Sequence, residues 1–198
     1  MAKLGIFGGT FDPIHIGHLA LAERACADCG LEQVYFVPAN YPPHKLDRPV
    51  TAPEHRLAMV QSAIADNPSF LVSDLELRRS GPSYTIQTIR AFQSRHPEDE
   101  LFFLMGADSV LELDTWMNVE ELVTLCRFIV VQRPGYAYNQ AETRVPEAFW
   151  PRTVRLEMAG LDVSSSDIRA RLQQNRSVRY LVPDPVLEYA ARNCLYTE

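Results

Sequence analysis

The chain has 198 residues, enough for a single domain over 1–198 with a core of its own. A formal charge of -6 advertises no broad basic surface, which argues against nucleic acid as a partner; any anionic ligand must be held by a few cations gathered in a cleft. One lysine followed by a Gly-rich turn is neither a secretory signal nor a membrane span, so a cytoplasmic protein without a membrane partner is expected.

Lys3 to Phe7 is short, apolar and without a helical period, as a buried strand is. Gly8 and Gly9 then permit a tight turn and close approach to a ligand, since neither carries a Cβ. Thr10 to Ile16 reads as a loop, and a helix follows from about Gly17 to Cys29, with Gly30 suited to its C′ position. A strand, a Gly-rich turn and a helix start make a phosphate site where the first helical amides are unpaired. The same glycines could serve as a tight turn alone. His15 and His18 lie at that helix start, where they could be surface residues or half of a zinc site; zinc needs a third or fourth ligand, and none follows at helical spacing. Asp12, ahead of Pro13, reads as a residue that fixes the loop.

Cys26 and Cys29 fall near a helix end rather than its start, unlike a redox pair. With Cys126 and Cys194 they read as free thiols, buried or half-buried. Gln33 to Val37 is a second strand. The loop from Pro38 to Pro49 is stiffened by prolines and carries Asn40, with His44 and Lys45 at its tip, a place where a lysine is ordinarily solvated. Thr51 to Glu54 has the pattern of a capping box, opening a helix through Ile64, with His55 and Arg56 exposed in its first turn. Phe70 to Leu77 reads as a strand, or two around a bend. Ser80 to Thr85 is a turn leading into a helix from Thr85 to Arg95.

Leu101 to Met105 is a further buried strand, ending in Gly106-Ala107-Asp108; an acid there suits either ribose hydroxyls or a helix N-cap. Trp116 beside a turn suggests half-buried packing. A short helix over Val119 to Leu125 and a strand over Arg127 to Arg133 follow, then a helix between Val145 and Trp150 and a strand over Thr153 to Met158. Val163 to Arg169 opens a helix reaching about Asn175, with Ser164 and Asp167 as a capping box and serines that can donate to phosphate. Asp184-Pro185 caps a last helix from Val186 to Asn193, so that the segment 164–198 is helical. Strands alternating with helices argue for an α/β fold on a parallel sheet, with ligands at the strand carboxyl ends.

The stretch Gly5-Ile-Phe-Gly-Gly-Thr-Phe-Asp-Pro-Ile-His-Ile-Gly-His18 resembles the signature of the HIGH-type nucleotidyltransferase superfamily, and its wording is similar to that of the bacterial nicotinate mononucleotide adenylyltransferases, enzymes of NAD biosynthesis. Pro43-His44-Lys45, Ser83-Tyr84-Thr85, Gly106-Ala107-Asp108 and Val163 to Arg169 extend the resemblance; Val163 and Ser166 depart from the family's Ile-Ser-Ser-Thr-x-Ile-Arg. The resemblance implies a Rossmann-like doubly wound sheet, mainly parallel, and transfer of the adenylyl group of ATP to nicotinate mononucleotide. It implies catalytic roles for His15, His18, Lys45 and Arg169, and ATP contacts from Gly8, Gly9, Thr10, Gly106, Asp108 and Ser165. It places the acceptor against Asn40, His44, Thr85 and Trp116, with backbone N–H groups near Thr85 and at the Trp116-Met117 turn choosing the carboxylate. Mg²⁺ would arrive with ATP, without a metal site built by the protein, and a homo-oligomer is admissible. The alternatives are another transferase of the superfamily, against which Trp116 and the Ser-Tyr-Thr and Gly-Ala-Asp segments stand, and a nucleotide-binding protein without activity, against which both histidines stand.

Overall fold

Short runs pair edge to edge in one sheet; the inner ones are apolar on both faces and covered on both, while the edge run Thr153–Glu157 alternates and leaves Arg155 and Glu157 exposed. The computed structural model describes residues 1–41, 50–132, 145–157 and 162–197. Its strands are β1 (Lys3–Gly9), β2 (Gln33–Pro38), β3 (Phe70–Val72), β4 (Glu100–Gly106), β5 (Arg127–Gln132) and β6 (Thr153–Glu157). They form one sheet in the order β3-β2-β1-β4-β5-β6, and every pairing is parallel. This is the doubly wound order, which reverses between β1 and β4 and leaves a crevice at their carboxyl ends.

Alternate residues of each strand enter different layers, as the period of two requires. Phe36, Phe102, Leu104, Ile129 and Val131 pack under α1 (Ile16–Cys29), α2 (Pro53–Ala63), α6 (Ser165–Gln173) and α7 (Asp184–Arg192). Leu4, Ile6, Phe103, Phe128 and Val130 pack under α3 (Thr85–Arg95) and α5 (Val119–Leu125). The short α4 (Ala107–Val110) follows β4 directly. Gly30 ends α1 at φ 66°, with its N–H on the Cys26 carbonyl. Among the described residues no helix is long and apolar enough to cross a membrane.

Several boundaries differ from the sequence reading. The N-cap of α2 is Ala52, not Thr51, and no side chain caps it, because Pro53 takes the first helical position with its fixed φ. Arg56 is buried, at 1% exposure, and His55 is half-buried with Nδ1 at 2.9 Å from the Tyr189 hydroxyl. β3 ends at Val72; Asp74 to Arg79 forms turns in which Asp74 pairs with Arg78. In place of a helix before Trp150, a single 3₁₀ turn covers Trp150–Arg152. At α6 the Ser164 hydroxyl accepts from the Asp167 N–H at 3.2 Å, but the reciprocal half of the box is missing because Asp167 pairs with Arg171. α7 takes Pro183 as its N-cap, one residue earlier than expected.

All four cysteines are free, and Cys194 is exposed rather than buried. Burial pushes the Cys126 thiol up to about 12 and the Cys26 thiol up to about 11. Maleimide labelling of the native protein at neutral pH therefore reaches Cys194 first, Cys26 and Cys29 slowly, and Cys126 only after denaturation. Rapid native labelling of Cys126 would contradict the packing of α5 against the sheet.

Candidate active site

A cleft of about 590 Å³ opens where the strand order reverses, at the carboxyl ends of β1 and β4. Of the residues singled out in the sequence, Gly8, Gly9, Thr10, His15, His18, Thr85, Gly106, Asp108, Trp116, Ser165 and Arg169 line it. Asn40 does not: its side-chain N–H₂ donates to the Arg79 carbonyl at 2.8 Å and its N–H to Ser83 Oγ at 2.9 Å, so it joins two loops behind the cleft wall. His44 and Lys45 lie outside the described residues.

The wall nearest β1 is a loop without secondary structure, from Thr10 to His15. Phe11 holds a left-handed backbone, φ 49°, which folds its ring back over Gly9. A Cβ on Gly9 would lie 2.8 Å from that ring, so here glycine serves a side chain of the same loop. At Gly8 the corresponding contact is an ordinary 3.5 Å to the Phe103 ring. Asp12, 4% exposed, accepts the Tyr196 hydroxyl at 2.8 Å, and its own carbonyl accepts Arg169 Nη1 at 2.6 Å. Ser165 Oγ donates to the Pro13 carbonyl at 2.9 Å.

The two histidines meet as the helix begins. Their rings stack, with centroids 3.7 Å apart, and the Phe7 and Phe11 rings present edges to His18 at 5.8 and 5.1 Å. The His15 N–H donates to His18 Nδ1 at 3.2 Å, so a neutral His18 carries its proton on Nε2. The expectation that the first helical amides are unpaired is not met throughout. Ile16 N–H donates to the Leu181 carbonyl at 3.0 Å, and His18 N–H to the His15 carbonyl at 2.9 Å. The chain ahead of α7 crosses the helix start and takes the first of these donors.

On the opposite wall, Gly106 lies against the carboxylate of Asp108, an exposed side chain in the first turn of α4. Trp116 is half-buried, its ring edge-on to Phe103 with centroids 5.8 Å apart. Its N–H donates to the Leu113 carbonyl at 3.1 Å and is engaged within the chain. Thr85 opens α3, where a helix has amides with no preceding turn to pair them. A buried carboxylate, Glu76, also lines this wall and accepts the Thr88 hydroxyl.

Sequence reasoning missed Arg56. Its Nε donates to the Thr51 carbonyl at 2.8 Å, Nη1 to the Thr10 carbonyl at 2.8 Å and Nη2 to the Asn40 carbonyl at 3.3 Å. One guanidinium thereby joins the loop after β1, the loop after β2 and the entry to α2. Burial lowers its pKa, and Asp12, Tyr196 and Glu54 act to raise it again. A signal was present: Arg56 stands at helical spacing with Met59, Val60 and Ala63, which form the buried face of α2.

Residues 6–171 match the model of a family described as cytidylyltransferase-like. A protein of Symbiobacterium thermophilum named "Probable nicotinate-nucleotide adenylyltransferase" is 49% identical over 200 residues, covering 99% of this chain and 96% of its own. The nicotinate-nucleotide adenylyltransferase of Bacillus subtilis (strain 168) is 41% identical over 196 residues, covering 99% of each. Among solved structures, Plasmodium falciparum nicotinic acid mononucleotide adenylyltransferase complexed with NaAD superposes with a TM-score of 0.82 at 21% identity, over 99% of this chain and 98% of that one. The same enzyme complexed with APC gives 0.82 at 20%. This last likeness is one of fold.

Arg56→Met keeps much of the side-chain volume but leaves three carbonyls without their donor. The expected cost is about 3–5 kcal/mol in urea unfolding, the scale of breaking a buried charged network. A loss below ~1 kcal/mol would show that water replaces the guanidinium at little cost.

Proposed function

We propose, from the premise that the chain belongs to the cytidylyltransferase-like family and within it to the nicotinate-nucleotide adenylyltransferases, that it transfers the adenylyl group of ATP to nicotinate mononucleotide, giving deamido-NAD and pyrophosphate. The observation that carries this reading is a shared cleft: among the described residues, motif residues from Gly8 to Arg169 line one crevice at the strand ends. Incubation with ATP or CTP and a panel of phosphorylated acceptors, following pyrophosphate, tests it. Release only with ATP and nicotinate mononucleotide is expected; release with CTP or with phosphopantetheine would replace it by another transferase of the superfamily. The reading sets the protein in NAD biosynthesis in the cytoplasm.

The chemistry asks little of the protein in proton transfer. The 5′-phosphate of the mononucleotide is already an anion; its oxygen forms a bond to the α-phosphorus as the bond to pyrophosphate breaks. Positioning and charge stabilisation carry the rate. In this reading His18, with its proton on Nε2, donates to a phosphate oxygen as charge gathers there, and His15 holds His18 in place through the N–H to Nδ1 bond as well as meeting phosphate itself. Arg169 and Lys45 hold the triphosphate, with the forked geometry of arginine suited to it. Gly8, Gly9 and Thr10 line the phosphate path, Ser165 steadies the loop through Pro13, and Gly106 and Asp108 receive the ribose.

Mg²⁺ fits this site as a companion of ATP. Among the described residues no three His, Cys, Asp or Glu side chains converge, and the Asp12 carboxylate is engaged by Tyr196. Phosphate oxygens and water would hold the ion, which supplies positive charge against the departing pyrophosphate.

His18→Ala is expected to lower kcat by ~10²–10³, the usual cost of one transition-state donor, while ATP affinity changes little. A variant with near-wild-type kcat would make His18 structural.

For the acceptor, Trp116 can stack on the pyridinium ring, a contact of ~0.5–2 kcal/mol that nicotinate and nicotinamide forms share, so it gives affinity without selectivity. Choice of the carboxylate falls to donors around Thr85 and, at the Trp116-Met117 turn, to the Met117 amide, since the Trp116 amide is engaged by Leu113. An amide ligand would set its own NH₂ against such a donor. Wild type is therefore expected to prefer the nicotinate form strongly in kcat/KM, and Trp116→Ala to lose efficiency toward both with the ratio kept. Equal wild-type efficiencies would refute the donor argument.

A further inference from the structure

We propose that Tyr196 is a positioning residue for ATP: its hydroxyl, bonded to Asp12 Oδ1, keeps the Asp12–Arg169 ion pair long, at 3.8 Å, so that the guanidinium can still turn toward the triphosphate. The inference rests on the function proposed above only in assigning Arg169 to phosphate.

The geometry carries it in three steps. Asp12 is buried with its carboxylate divided among several donors: Oδ1 accepts the Tyr196 hydroxyl at 2.8 Å, while Oδ2 lies 3.4 Å from the Thr51 N–H and 3.8 Å from Arg169 Nη1. The closest of these partners is the tyrosine. Arg169 already approaches the same residue through the Asp12 main-chain carbonyl, at 2.6 Å. A small rotation of an Asp12 carboxylate that had lost its hydroxyl partner would shorten this 3.8 Å ion pair to hydrogen-bonding distance, and an anion so close competes with phosphate for the fork.

The backbone that delivers Tyr196 supports the assignment. Cys194 and Tyr196 both hold left-handed conformations, φ 51° and 64°, which residues with a Cβ rarely adopt. The turn at Cys194 ends α7, its N–H donating to the Ala191 carbonyl at 3.2 Å and the Leu195 N–H to the Ala190 carbonyl at 2.9 Å, whereas the turn at Tyr196 itself caps no helix. The two turns bring a phenol from beyond the last helix to a loop 184 residues earlier in the chain, where its oxygen also lies 3.8 Å from Met59 Sδ. Burial and the neighbouring Asp12 both hold the hydroxyl in its protonated, donating form.

Tyr196→Phe removes the oxygen and keeps the ring, so the packing against α2 survives. The test measures ATP binding by calorimetry, together with KM for each substrate and the melting temperature. ATP affinity is expected to fall about tenfold, the scale of one charge-assisted contact, with KM for the mononucleotide unchanged within about twofold. A role in folding alone would move the melting temperature and both substrates together. In an Asp12→Asn background, where no charge competes for Arg169, adding Tyr196→Phe should alter ATP affinity by less than about twofold, because two residues acting through one contact are not additive. Unchanged ATP affinity in the single variant, or equal losses in both backgrounds, would overturn the inference. Calorimetry reads ATP binding without turnover, so a wild type that binds ATP yet transfers nothing to nicotinate mononucleotide would sink the proposed activity and leave this result standing on its own.

Discussion

The segment from Thr10 to His15 belongs to no helix or strand, so the carbonyls of Thr10, Asp12 and Pro13 are met by side chains brought from elsewhere. Arg56 reaches Thr10 from α2, Arg169 reaches Asp12 and Ser165 reaches Pro13 from α6, and Tyr196 reaches the Asp12 carboxylate from beyond α7. The loop is thus the place where the helices of one face of the sheet are joined to the cleft. Its shape is decided by polar bonds that cross long stretches of sequence rather than by local preference. That explains how a backbone as unfavourable as Phe11 at φ 49° is kept: the surroundings over-determine it.

The two walls of the cleft differ in how they are built. On the β1 side the stacked imidazoles and the guanidinium of Arg169 are set by bonds to main-chain atoms, a rigid arrangement suited to meeting charge. On the β4 side the ring of Trp116 and the exposed Asp108 stand on short turns, with Trp116 fixed by its N–H to Leu113 and by the edge of Phe103. Glu76 in that wall forms a buried polar pair with Thr88, with Arg79 Nη2 donating to Thr88 at 2.6 Å.

Much of this was legible from the sequence because strands buried on both faces read as unbroken apolar runs. Lys3–Phe7, Gln33–Val37 and Leu101–Met105 are strands nearly to the residue. The glycines were legible too, though Gly9 is glycine for the ring of Phe11 rather than for a ligand alone. Where the reading went wrong, a competing local preference prevailed: Pro53 displaced Thr51 as the start of α2, and the alternation beyond Val72 continued into turns. Arg56 was read as exposed because arginines in a first helical turn usually are, although its spacing with Met59 and Val60 placed it on the buried face. Tyr196 carried no signal at all. Its partner is far away in the chain, and neither turn that brings it there contains a glycine.

The placement of Tyr196 makes the two ends of the described chain unequal as points of attachment. Met1 stands 94% exposed ahead of β1, and nothing in the cleft depends on it. Thr197 follows directly on a residue bonded to the loop that ends at His15. A tether, label or carrier joined near Met1 leaves the cleft alone; one joined beside Thr197 pulls on Asp12, and an engineer who wished to make nucleotide affinity respond to mechanical load or to a fused sensor would begin there.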